Sequence, residues 1–353
     1  MIEKIDRRKT RVISVGNVKI GGDNPIPVQT MTNTNTEDIK STISLIKKIE
    51  DAGCDIVRVS CPTRESTTSL KEIIKNTNIP IIADIHFNYK RAIESIEAGA
   101  HCIRINPGNI DHNAMREIIF ALRDHENVAV RIGINSGSLE RNILEKYGEP
   151  NYLAIVESAV LNARRLEDLG FHNFKISVKS SNVISSIKAY RELSRILDYP
   201  LHLGITEAGP LFSGTIKSSI GIGSLLADGI GDTIRVSLSD DPIEEIKVGK
   251  QILKSLGLLK DSINMISCPT CSRTMIDVIN LSKKIDDLTR SLKISKTISI
   301  LGCVVNGVGE AHQSDIGIFG FKKGIAKIYR NGTEYKTCEE NEIIDNIKEL
   351  LKL

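Results

Sequence analysis

Two sets of residues in this chain have the types and spacing that chemistry needs. The first is a group of thiols. Cys268–Pro–Thr–Cys271 is a CxxC pair, and Cys303 follows in Gly302–Cys–Val–Val–Asn–Gly–Val–Gly–Glu310. Thiolates separated by two residues can grip one metal centre from a single turn. Three thiolates without a fourth suit a cluster with one weakly held iron, and Glu310, seven residues after Cys303, is the obvious oxygen ligand. Cys338 would instead complete a four-thiolate zinc site, so spacing alone leaves zinc and iron–sulfur both open. Cys54 and Cys102 read as small core residues; Cys61 lies just past a strand, and the same reading is favoured there.

The second set is cationic. In a strand, residues two apart face the same side. That rule puts Arg58 with Ser60, Asp84 with His86, Arg104 with Asn106, Arg131 with Gly133, Lys175 with Ser177 and Lys179, and Arg235 with Ser237. Asn135 follows Arg131 in the next loop. Any one arginine reads most simply as half of an ion pair. Together, four arginines and Lys179 face only Asp84 and Glu207 as candidate acids. Each uncompensated like-charge contact costs on the order of 4 kcal/mol at 4 Å and an effective dielectric of 20. Such a surplus implies that an anion enters, and guanidinium forks suit phosphate oxygens. The expected ligand is a phosphorylated or diphosphate compound. Glu207, in Gly204–Ile–Thr–Glu–Ala–Gly209, is a proton-donor candidate if its pocket closes. Lys217, at the start of the next helix, reads equally as a phosphate contact or a surface lysine.

These residues need elements to hold them. Short apolar runs at Pro25–Met31, Asp55–Ser60, Pro80–His86, Cys102–Asn106, Val128–Gly133, Asn173–Lys179, Pro200–Ile205 and Thr233–Leu238 read as strands. Amphipathic stretches lie between them, such as Thr36–Ala52 with Ile39, Ile43, Ile46 and Ile49 on one face. Gly53, Gly99, Gly170, Gly229 and Gly257 close several of these as C-caps. Eight strand–helix units in about 250 residues predict an N-terminal (β/α)8 TIM-type barrel over residues 1–257, with the cations at the C-terminal strand ends. A doubly wound sheet fits less well, because Gly21 and Gly22 precede the first strand instead of following it.

Past residue 258 the rhythm changes. Ile263–Ser267, Thr297–Leu301, Asp315–Phe319 and Ile325–Tyr329 read as strands, and Met275–Ser291 and Glu339–Leu351 as helices. Asn331–Gly332 is a hairpin signal. Residues 258–353 therefore form a smaller α+β domain carrying the thiols. The last barrel helix, Pro242–Leu256, is about 22 Å long at 1.5 Å per residue and carries the chain away from the cationic face. The thiol domain thus starts on the wrong side of its own barrel mouth. A head-to-tail homodimer, with one chain's thiols over the other's barrel, follows as an expectation.

Composition excludes several classes. Lys plus Arg is 47 and Asp plus Glu 44, a net charge of +3, and aromatics are only 4%. Neither suits a nucleic-acid surface. No apolar run reaches roughly 18 residues, and MIEKIDRRKTRVI lacks a signal-peptide core. A cytoplasmic, non-membrane protein is expected. In that reducing compartment seven cysteines are not a disulfide framework.

The strings Val28–Gln–Thr–Met–Thr–Asn33, Ala83–Asp–Ile–His–Phe87, Arg104–Ile–Asn–Pro–Gly–Asn109, Arg131–Ile–Gly–Ile–Asn–Ser–Gly–Ser–Leu139, Gly231–Asp–Thr–Ile–Arg–Val–Ser–Leu238 and the Glu207 and cysteine segments resemble those of the 4-hydroxy-3-methylbut-2-enyl diphosphate synthase family, in its bacterial two-domain form. The resemblance runs in order from about residue 8 to about residue 320. It departs at Thr30, where Ser is usual, at Val308, where Pro is common, and over Phe319–Lys323, where a more Gly-rich stretch is usual. It implies reductive opening of 2-C-methyl-D-erythritol 2,4-cyclodiphosphate to hydroxymethylbutenyl diphosphate in non-mevalonate isoprenoid synthesis. It also implies a 4Fe–4S cluster on Cys268, Cys271, Cys303 and Glu310, with flavodoxin or ferredoxin as electron donor. Substrate contacts would fall on Arg58, Arg104, Arg131, Asn135, Lys179, Arg235 and Ser237, and Glu207 matches the proton-transfer acid. The rival is a redox-free barrel lyase or transferase with a structural zinc module.

Overall fold

The computed structural model describes residues 5–290 and 292–353, and the chain divides into two compact units between Leu258 and Leu259. In the first unit every apolar run of the sequence becomes a strand. These are β3 (Gln29–Met31), β4 (Ile56–Ser60), β5 (Ile81–Asp84), β6 (Cys102–Ile105), β7 (Ala129–Asn135), β8 (Phe174–Lys179), β9 (His202–Leu203) and β10 (Thr233–Ile234). β3 to β8 form one parallel ladder in chain order, and β9 pairs with β10. Parallel bridges from Ile176 to Leu201 and from Ile234 to Val28 join the two sheets into a closed barrel. Helices cover the outside, and their starts are capped by short polar side chains such as Asp38, Thr63, Asn88 and Asp111. The five glycines expected to close helices all lie in the left-handed region. The last helix ends at Ser255, with Leu256 as its cap.

An element with no sequence forecast precedes the barrel. The hairpin β1 (Ile13–Val15) and β2 (Val18–Ile20) buries Ile13, Val15 and Ile20 against Ile56, Ile82, Cys102 and Ala129, from the first halves of barrel strands. It seals the end opposite the arginines. Cutting a fully buried contact there, such as Ile82→Ala, costs about 2–5 kcal/mol.

The second unit is one five-stranded sheet in chain order: β11 (Ile263–Ser267), β12 (Lys296–Leu301), β13 (Ile316–Lys322), β14 (Ile325–Arg330) and β15 (Thr333–Glu339). The first three strands are parallel, and the last three are joined by antiparallel hairpins. Helices Val278–Thr289 and Ile343–Leu351 pack on one apolar face, and helix Val304–Gln313 packs with Leu301 and Phe319 on the other. Two helices differ in extent from expectation, and β13 runs on to Lys322. The helix read over Met275–Ser291 starts at Val278 behind its Asp277 cap, and Ser291 lies outside the described residues, as do residues 1–4. The helix read from Glu339 starts at Ile343, because the Asn331–Gly332 turn returns the chain as β15. That edge strand is almost wholly exposed and polar, so it has no apolar period to read.

Candidate active site

Strand register brings the cations together. Arg58 rides on β4, Arg104 on β6, Arg131 on β7 and Lys179 at the end of β8, with Arg235 one residue past β10. Asp84 lies opposite Arg104, Arg104 opposite Arg131, and Asn135 opposite Lys179. These five cations, with Asn135, Ser177, Thr206 and Ser237, line one cavity of about 140 Å³. That is room for four or five waters at about 30 Å³ each. Two glycines make the packing possible: a Cβ on Gly133 would strike the Arg104 guanidinium, and one on Gly204 the Lys179 ammonium.

Among the described residues two buried carboxylates, Asp84 and Glu245, face the five cations. Asp84 accepts from Arg104 Nη1 at 3.4 Å, its other oxygen lies 3.6 Å from Arg58 Nε, and His86 Nε2 is 4.0 Å away. Burial works against its charge, but Arg58, Arg104 and Arg131 outweigh that and hold its carboxyl below the usual range. The second acid is not Glu207, as expected, but Glu245. It comes from the helix Pro242–Ser255 and pairs with Arg235 at 3.3 Å. Glu207 is exposed, at φ 53°, beside the cavity-lining Thr206.

The remaining cations are poorly compensated. Arg131 is 1% exposed, and its Nε and Nη1 have no protein partner. Burial, then Arg104, brings its pKa down to about 10, so it stays charged at neutral pH. Lys179 Nζ donates to His202 Nε2 at 3.4 Å. Burial and the surrounding arginines push the Lys179 ammonium well below its ordinary range, and burial and Lys179 do the same to His202. Below them Lys175 is fully buried without a protein partner, its pKa brought down by burial to about 8. Asn135, in the amide orientation that satisfies both groups, accepts from Arg104 Nη2 at 3.3 Å.

Five forecast barrel residues do not line this cavity: Asp84 and His86, paired as above, and Asn106, Lys217 and Glu207. Asn106 donates to Ser138 at 2.6 Å and accepts from Gly108 N at 3.0 Å, which ties down the following loop. Lys217 is exposed on the helix Leu211–Ala227, and Glu207 faces solvent. Sequence reasoning also missed Thr206, His202 and Glu245. His202 alternates inward with Gly204 and could have been found by the period of two; Glu245 had no such signal.

In the second unit the thiols gather at strand ends. Cys268 directly follows β11, and Cys303 is the N-cap residue of the helix that follows the adjacent, parallel β12. Gly302 N donates to Cys268 Sγ at 3.1 Å, and Cys268 N donates to Ile300 O at 3.2 Å. The Cys271 turn is held down by Thr274, whose Oγ1 accepts from Cys271 N at 3.0 Å. Gly302 leaves room for that threonine. Cys303, Gly307 and Glu310 share one helical face, and Glu310 lies about 10 Å along it from Cys303 at 1.5 Å per residue. Among the described residues no three His, Cys, Asp or Glu side chains stand close enough to hold an ion as they are. Cys268 and Cys303 are half-buried and Cys271 exposed, so the soft donor set suits a thiolate-bound metal centre at the surface. Cys338 does not belong to it. It sits in β15, three strands from β12 and about 14 Å away at 4.8 Å per strand, inside the apolar core. Burial raises its thiol pKa. Cys54 and Cys61 are buried too, both pushed by burial to about 12, and burial also raises Cys102.

A closed barrel with a cationic mouth, followed by a sheet that presents three thiols, defines a two-domain (β/α)8 enzyme of anionic substrates. The chain belongs to the GcpE family: residues 10–250 match the GcpE TIM-barrel domain and residues 264–353 the GcpE protein C-terminal domain. A 4-hydroxy-3-methylbut-2-en-1-yl diphosphate synthase (flavodoxin) of Gluconacetobacter diazotrophicus is 52% identical over 351 residues, covering 99% of this chain and 92% of the relative. The protein of that name from Clostridium perfringens is 49% identical over 348 residues, covering 99% of each. Among solved structures, a Yersinia pestis dihydropteroate synthase in a sulfonamide drug complex aligns with a TM-score of 0.51 at 10% identity, over 70% of this chain and 100% of that one. This last likeness concerns the barrel fold alone.

Proposed function

We propose that this chain opens the ring of 2-C-methyl-D-erythritol 2,4-cyclodiphosphate reductively, giving hydroxymethylbutenyl diphosphate. Two electrons and two protons enter and one water leaves. The observation that carries the reading is the cavity in which five cations face two carboxylates. Arg58, Arg104, Arg131, Lys179 and Arg235 bind the diphosphate. They stabilise the charge that grows on it as the ring C–O bond breaks. Asn135 and Ser237 orient it by hydrogen bonds. His86 and Asp84 hold the rim, and Lys217 stands in reserve outside. Glu207, on its exposed loop, hands a proton to the departing hydroxyl when the site closes.

Cys268, Cys271, Cys303 and Glu310 would hold a 4Fe–4S cluster, which when bound supplies electrons one at a time. A flavodoxin, named for the relatives, is the donor, with ferredoxin as the alternative. The reaction belongs in the cytoplasm, and no described helix is long and apolar enough to cross a membrane. The helix Pro242–Ser255 runs away from the cavity, so we place a second chain's thiol domain over each barrel in a head-to-tail homodimer.

Anaerobic protein incubated with the cyclodiphosphate and a chemical reductant should form the linear diphosphate, with iron and sulfide each near four per chain. A single zinc and no turnover would overturn the proposal. Mixing R131M with C303S chains tests the dimer. If sites form across chains, random pairing restores about a quarter of wild-type activity; an inactive mixture rejects it.

A further inference from the structure

The barrel closes between its first and last strands, β3 and β10, and that seam is thin. The backbone gives it one isolated bridge, Val28 to Ile234, with Ile234 N donating to Pro27 O at 3.0 Å. Toward the mouth, Glu245 takes over. Its carboxylate is 3% exposed and accepts four hydrogen bonds: from Thr30 Oγ1 of β3 at 2.6 Å, from Arg235 Nε and Nη2 at 3.3 Å each, and from Leu238 N at 2.9 Å. Among the described residues Glu245 is the one acid paired with Arg235. Arg235 and Ser237, on either side of Val236, both line the cavity.

We infer that Glu245 is a positioning residue for the anion cavity, stapling β3 to the β10 end and aiming the Arg235 fork and the Ser237 hydroxyl inward. The inference rests on reading the cavity as a diphosphate site. A carboxylate is needed because all four neighbours are donors: glutamine would turn an NH₂ toward at least one of them and leave Arg235 without its counter-charge. The preceding residue is a built-in control. Glu244 occupies the same helical turn but points outward and pairs with Lys247 at 2.6 Å.

Calorimetric titration of the full-length protein with inorganic pyrophosphate tests this. E245Q should bind at least about tenfold more weakly than wild type, and E244Q within about twofold of it. Because Glu245 acts largely through Arg235, E245Q added to R235Q should lose much less than the two single losses combined, the remainder reflecting Ser237. Equal affinity of E245Q and wild type, or additive losses in the double variant, would overturn the positioning role while leaving the pocket reading intact. No pyrophosphate binding by wild type would sink both. If E245Q fails to fold, T30V removes only the β3 half of the staple. It should weaken binding severalfold in a chain that still melts cooperatively, and unchanged affinity would reject the proposal.

Discussion

In the barrel mouth the strand ladder itself sets the site, whereas in the C-terminal sheet loops do. Asp84, Arg104 and Arg131 are register partners on adjacent strands, with Asp84 and Arg131 buried and Asp84 bonded to Arg104 before any ligand arrives. Cys268, Cys271 and Cys303 sit just past strand ends, partly in solvent, with one backbone N–H fixing one sulfur. On the proposed roles, the contrast follows the bond that each site would make. Hydrogen bonds to a diphosphate are directional and individually modest, so the protein must arrange the donors first. Metal–thiolate bonds are strong enough to order their own ligands.

A double dissociation tests the comparison most severely. C303S should abolish turnover, on the order of 1,000-fold or more, and lower iron and sulfide, yet keep pyrophosphate affinity within about twofold. R131M should keep iron and sulfide but lose about 30- to 1,000-fold in kcat/KM, as expected for 2–4 kcal/mol of buried charged contact. Loss of pyrophosphate binding in C303S would show that the two regions are not separable.

Lys175 sharpens the account of the barrel. Its pKa falls from an ordinary 10.5 to about 8, so the unfolded chain holds the extra proton between those values and stability rises with pH across that window. K175M should therefore stabilise the fold by about 3 kcal/mol at pH 7, with the gain fading from pH 8 to above 10.5. Thermal melts of both proteins from pH 7 to 11 check this, and a gain constant with pH would count against a buried unpaired ammonium. The smallest effect is expected at Cys338. C338A should cost about 1 kcal/mol of stability and leave the iron content unchanged. A fall in iron would return that thiol to the metal set.

The cations were legible because a period of two shows directly which side chains share the lumen, and Arg58, Arg104, Arg131, Lys179 and Arg235 all line the cavity. Of their two counter-charges, Asp84 was legible by the same period of two and Glu245 was not. Glu245 reads as an acid in the first turn of a helix, where its neighbour Glu244 is just that. The turn from β10 into its helix folds it back onto Arg235, and barrel closure brings Thr30 to it. Thr30, where the resemblance leads one to expect Ser, keeps the hydroxyl that bonds Glu245. β15 and the first hairpin escaped notice for opposite reasons, one too polar to show a buried face and the other too short to show a period.

That first hairpin has a consequence for traffic. With Ile13, Val15 and Ile20 stoppering the floor of the barrel, the lumen is a cup and not a tube. Whatever a turnover consumes and whatever it discards must use the same rim, in sequence. The product diphosphate therefore leaves by the opening through which the substrate entered, and the next substrate waits for it.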